Sequence, residues 1–113
     1  APLEDCYSPE LTPQKNELEK EYLELAKNLK KGGVDFLLLE TMITIRETLA
    51  AISTATKVKM PFAVSFCCNK NGQLLGGESL KTTLKKVRFS ISSNLNAIFF
   101  IVAWQNEGIA DTK

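Results

Sequence analysis

The stretch Gly32-Gly33-Val34-Asp35-Phe36-Leu37-Leu38-Leu39-Glu40-Thr41 decides how the rest of the chain is read. Phe36 to Leu39, with Val34 ahead of them, are apolar without polar alternation and run straight into a carboxylate. A strand that is apolar on both faces belongs in a parallel sheet covered by helices, where both faces are hidden from water. A buried helical segment would also supply four apolar residues, because periodicity alone does not separate the two. The glycine pair before the run and the helix-capping signal after it favour the strand. Glu40 falls where such a strand ends. In α/β sheets and barrels the carboxyl ends of strands are where ligand chemistry is assembled, which makes Glu40 the leading functional candidate.

Upstream, Thr12-Pro13 reads as a helix start, a hydroxyl N-cap followed by proline at the first helical position. Leu18, Tyr22, Leu25, Ala26 and Leu29 then recur at helical spacing, and Gly32-Gly33 closes the helix. Residues 1 to 11 show no period, carry two prolines and read as loop. Downstream, Thr44-Ile45-Arg46-Glu47 matches the capping box and predicts a helix over about 44–55, burying Ile45, Leu49 and Ile52. Pro61 marks entry to a second strand, Phe62 to Phe66. Asn69 to Gly72 is turn chemistry. Gly76-Gly77-Glu78-Ser79 leads into a third helix with Leu80, Leu84 and Val87 inward, and Ala97 to Val102 forms a third apolar strand after the Asn94-Leu95-Asn96 turn. Strands separated by single helices require parallel pairing with right-handed crossovers. That order fits either a (β/α) barrel or an open doubly wound sheet.

At 113 residues the chain is one domain or part of one, and a 44% hydrophobic fraction is enough to form a core. A net charge of +1 with scattered lysines gives no nucleic-acid signature. No apolar run reaches the roughly 18 residues of a membrane span, and the acid- and proline-containing start does not read as a signal peptide. Three cysteines, Cys6, Cys67 and Cys68, are an odd number, so a reducing, cytoplasmic setting is expected over a disulfide framework. Adjacent Cys67 and Cys68 point to opposite faces if extended. With no histidine in the chain, catalysis would rest on carboxylates, thiols or a thiolate-held metal.

Three strand ends are expected to converge: Glu40-Thr41, Ser65 to Cys68, and Val102 to Trp104. A carboxylate beside hydroxyls and thiols suits an amino acid, whose ammonium group needs a negative partner. The plainer reading of Glu40 is a cap or a lysine partner. Cys67 and Cys68 also read as small buried apolar residues, and Gly76-Gly77 lacks the spacing and lysine of a phosphate loop and reads as a turn.

The segments 1–7 (Ala-Pro-Leu-Glu-Asp-Cys-Tyr), 33–41 and 61–66, followed by Gly72-Gln73-Leu74-Leu75-Gly76-Gly77-Glu78-Ser79, together resemble the homocysteine S-methyltransferase family. The resemblance runs in consistent order over about residues 1–98. It implies a place in the middle of a (β/α)₈ TIM-type barrel, covering about three βα units from just after the third strand. It also implies methyl transfer to the thiol of homocysteine from S-methylmethionine, betaine or a methylated folate–cobalamin donor. The residue matching Glu40 would hold the substrate's amino group, with Thr41 and Ser65 lining the same pocket. The family's zinc, held by three cysteines, would bind the substrate sulfur, since a dication strips the thiol proton near neutral pH.

Against that pattern, valine stands at Val102 where the family's sixth strand ends in asparagine-cysteine, and the paired cysteines of the site have no counterpart here. The chain is therefore expected to bind no zinc and to be inactive alone. A whole barrel takes about 200 to 400 residues. A three-strand segment leaves open edges and an uncovered interior, so self-association is expected. The alternative from another class is a non-catalytic α/β module that oligomerises or binds a partner through those edges. A small nucleotide-binding doubly wound domain would need a phosphate loop that the chain lacks.

Overall fold

The computed structural model describes residue 10, residues 13–91 and the backbone of residues 101–105. Within these the order is α1 (Lys15–Lys31), β1 (Leu37–Met42), α2 (Ile45–Lys57), β2 (Phe62–Cys68), α3 (Leu80–Ile91) and β3 (Ile101–Gln105). The three strands form one open sheet in the order β1-β2-β3, parallel at both pairings, as single-helix connections require. Apart from Glu10, the expected loop over residues 1–11 lies outside the described residues, as do the Thr12 cap, the turn at 94–96 and the part of the third strand before Ile101. That strand continues to Gln105, three residues past its expected end at Val102.

Helix α1 starts at Lys15, with Gln14 in extended backbone at its N-cap and no side-chain cap bond. Leu18, Tyr22 and Ala26, four apart, form its buried stripe. Leu25 and Leu29, expected inward, are half-exposed because that stripe is narrow. The helix ends as its glycines dictate: Gly33 takes φ 87° and its N–H donates to the Lys30 carbonyl. Lys30 Nζ reaches the Val58 carbonyl at 2.7 Å and ties the ends of α1 and α2 together.

Helix α2 opens on Thr44, whose Oγ accepts from the Glu47 N–H at 3.1 Å. Only this half of the capping box forms. The first helical N–H, that of Ile45, is taken instead by Glu78 Oε2 at 2.9 Å, and the Glu47 side chain turns to α1. Ala50, Ala51 and Ala55 give α2 a buried face of small residues.

One face of the sheet carries the core. Leu37, Leu39 and Met42 of β1 join Phe62, Val64, Phe66 and Cys68 of β2 against the buried residues of α1 and α2. Each large side chain so buried stabilises the fold by about 1.5–3 kcal/mol. The opposite face corrects the expectation of a first strand hidden on both sides. Leu38 is 53% exposed and Phe36, just ahead of the strand, 56%. Among the described residues the helices pack on one side of the sheet and β1 is an edge strand, so its other side chains meet water. On β2, Ala63 and Cys67 of that same face are buried.

Candidate functional site

The tip of β1 is irregular where the sequence placed its candidate. Leu37, Leu38 and Leu39 pair in step with Phe62, Ala63 and Val64, but the next partners are Met42 and Phe66. Two residues, Glu40 and Thr41, therefore stand opposite one, Ser65. This is a β-bulge, a device that re-aims side chains near strand ends. Thr41 adopts φ 61° to make it, a left-handed conformation that costs a β-branched residue about 1–3 kcal/mol and persists only where the surroundings impose it.

The bond that closes the bulge runs between the two predicted strand tips. The Thr41 N–H donates to Ser65 Oγ at 3.1 Å. Past the bulge, Met42 returns to the helix side and is buried in the core, although strict alternation from Leu38 and Glu40 would have put it on the open face. Glu40 remains exposed beside half-buried Thr41 and Ser65. Parallel pairing also puts the end of β3 at the same end of the sheet, with Trp104 opposite Cys67 in register.

Glu40 also contributes to the wall of a cleft of about 220 Å³ shared with Tyr22, Leu25, Ala26, Leu29 and Leu39. This cleft is apolar, lies between α1 and β1, and follows the edge of β1 that has no partner strand among the described residues.

The thiols do not assemble with the carboxylate. Cys67 and Cys68 are both buried, and only Cys68 belongs to the helix-side core, as their alternation on an extended strand requires. Burial pushes the Cys68 thiol up, away from the thiolate a metal would need. Val102 lies in β3 and carries no donor. Among the described residues no three of His, Cys, Asp and Glu gather into a metal-holding group, so the zinc set of the resembled family does not fit them.

Two carboxylates that sequence reasoning did not single out are built in more deeply than Glu40. Glu47, 1% exposed, accepts from the Tyr22 hydroxyl at 2.6 Å, while its second oxygen is buried without a hydrogen-bond partner among the described residues. Burial raises its pKa above the ordinary 4.5, against the lowering effects of the Tyr22 hydroxyl and the Arg46 charge. The capping-box match was its only signal, and it pointed to a bond that does not form. Glu78 sits in a loop read as a plain turn, and no local pattern announces its reach to α2.

That loop, residues 69–79, is ordered by its own chemistry. Asn69 Oδ1 accepts from the Asn71 and Gln73 N–H groups at 2.9 and 3.1 Å, and Gly72 and Gly77 take φ 73° and 100°. Ser79, the last residue of the expected lead-in, caps α3 by accepting from the Thr82 N–H.

No curated relative and no solved structure matches the chain. The family model for homocysteine S-methyltransferase matches residues 1–101. A match over that much of a 113-residue chain, in which the strand bearing Glu40 lies beside the strand bearing Ser65, leads to one conclusion: this chain belongs to the homocysteine S-methyltransferase family.

Proposed function

We propose that the β1–β2 strand end binds the amino-acid end of homocysteine, within a partial (β/α) barrel of about three units. The observation that supports this most directly is the Thr41 N–H to Ser65 Oγ bond across the bulge, which holds two strand tips together beside an exposed carboxylate. Glu40 pairs with the substrate ammonium group through charge-assisted hydrogen bonds, and Thr41 and Ser65 line the same wall. Methyl transfer to the sulfur, the reaction of the family, further requires a thiolate. The described residues hold no group that fits the zinc that would generate one, so the proposal for this chain stops at binding.

Calorimetric titration of the full chain with L-homocysteine and with 4-mercaptobutanoic acid, which lacks the amino group, tests the assignment. A charged hydrogen bond contributes about 1.5–3 kcal/mol. Deleting the amino group or making Glu40→Gln should therefore weaken binding by about tenfold to a hundredfold. Equal affinity for the two thiols, or an unaltered Glu40→Gln variant, would sink it.

A second reading, self-association, is favoured by the exposed Phe36 and Leu38 and by the apolar cleft along the edge of β1. Sedimentation over a concentration series should show association that Leu38→Lys weakens. A monodisperse monomer at high concentration would refute it.

A further inference from the structure

We propose that Glu78 is a positioning residue, which holds the turn after β1 and so fixes the Glu40–Thr41 bulge. The proposal rests on the homocysteine-pocket reading for its purpose, but its geometry stands independently.

A left-handed threonine needs restraint on both sides. Upstream, β1 is paired to β2, and the Thr41 N–H is tied to Ser65 Oγ. Downstream, the restraint comes from the loop after β2, which folds back onto the turn between β1 and α2. The Gly76 N–H donates to the Ile43 carbonyl at 2.9 Å, and Glu78 Oε2 accepts from the Ile45 N–H at 2.9 Å. These bonds grip the chain two and four residues beyond Thr41. The loop is itself anchored by Leu74, fully buried, bridged to Cys68 and donating its N–H to the Glu78 carbonyl at 2.8 Å. The tip of β2 thus reaches the tip of β1 by two routes, Ser65 directly and Glu78 through the loop.

The closeness of the fit explains why glycine stands at position 76. A Cβ there would lie 2.7 Å from Glu78 Oε1, 2.9 Å from Thr44 Cγ2 and 3.0 Å from the Ile43 oxygen. The carboxylate also suits the place, because the first N–H groups of a helix lack internal acceptors and the helix dipole favours negative charge there. Glu78 Oε1 is buried without a hydrogen-bond partner among the described residues. It is closed off from solvent, so Glu78 acts on a ligand through the backbone that it holds.

Amide hydrogen exchange and homocysteine titration on the full chain, with Glu78→Ala, Glu78→Gln and Gly76→Ala, test this. Glu78→Ala should speed exchange at both Ile45 and Thr41 at least tenfold, leave Val64 and Phe66 unchanged, and weaken homocysteine binding at least fivefold. Glu78→Gln keeps a carbonyl acceptor for the Ile45 N–H and should restore most of both losses. Gly76→Ala, whose Cβ pushes the loop off the turn, should reproduce the faster Thr41 exchange even if Glu78→Ala does not fold. Faster exchange at Ile45 with Thr41 unchanged would reduce Glu78 to a helix cap and overturn the proposal. Should the unaltered chain not bind homocysteine, the pocket reading fails by itself, and the Thr41 exchange rates alone decide the positioning role.

Discussion

The two faces of β1 carry nearly the same residue types and meet opposite fates. Leu37 and Leu39 are sealed against α1 and α2, whereas Leu38, between them, is half in water with Phe36 beside it. An apolar side chain thus reports that some surface is meant to be covered, but not that this chain covers it. The closed face holds the fold together; the open one carries Glu40 and the bulge. Stability should follow the first face and recognition the second.

The most direct way to break that division is to truncate one side chain on each face. Phe66→Ala on the closed face should cost about 3–5 kcal/mol in urea unfolding, through lost burial and a residual cavity. Leu38→Ala should cost under about 1 kcal/mol, since its side chain is already half solvated. Comparable losses would mean that the open face is covered in solution.

A second test sits between α1 and α2. Tyr22→Phe removes the hydroxyl that donates to buried Glu47 and should cost about 1–3 kcal/mol in the same assay. The pH dependence has a definite sign. The folded-state pKa of Glu47 is raised, so the folded chain binds its proton more tightly than the unfolded chain. The stability contributed by the protonated group is fully present below about 4.5 and is lost as the pH rises through the folded value. Glu47→Gln should flatten that part of the stability profile. A profile that Glu47→Gln leaves unchanged would show the carboxyl to be solvated.

The smallest effect is expected at the bulge. Thr41→Gly relieves the left-handed strain while giving up some unfolded-state restriction, so thermal unfolding should show a gain of up to about 1 kcal/mol. A clear loss would mean that the threonine side chain makes contacts worth more than the strain.

Much of this was readable in advance. The glycines at 32 and 33, the threonine cap at 44 and Pro61 mark element boundaries because each acts through its own backbone or its nearest neighbours. Glu40 stands out by its place at a strand end, Thr41 and Ser65 only through the family resemblance, and the structure brings the last two into a hydrogen bond. The bulge itself was not legible, because a period-2 pattern in the run Phe36 to Leu39 is uniform and carries no mark of where register slips. The contacts of Glu47 and Glu78 are not legible for a related reason. Capping rules describe contacts within four residues, whereas Tyr22 lies 25 positions from Glu47 and Glu78 lies 33 from Ile45.

Residue order alone settled the alternation of helices and strands, the parallel pairing that follows from it, and the carboxylate at a strand end, since these depend on local backbone preference and on chain connectivity. Which face of the first strand is sealed, where its register slips and which glutamate holds the turn were decided only by packing. Those outcomes depend on groups far apart in sequence, and close contact alone sets whether a polar atom finds a partner or an apolar one finds cover.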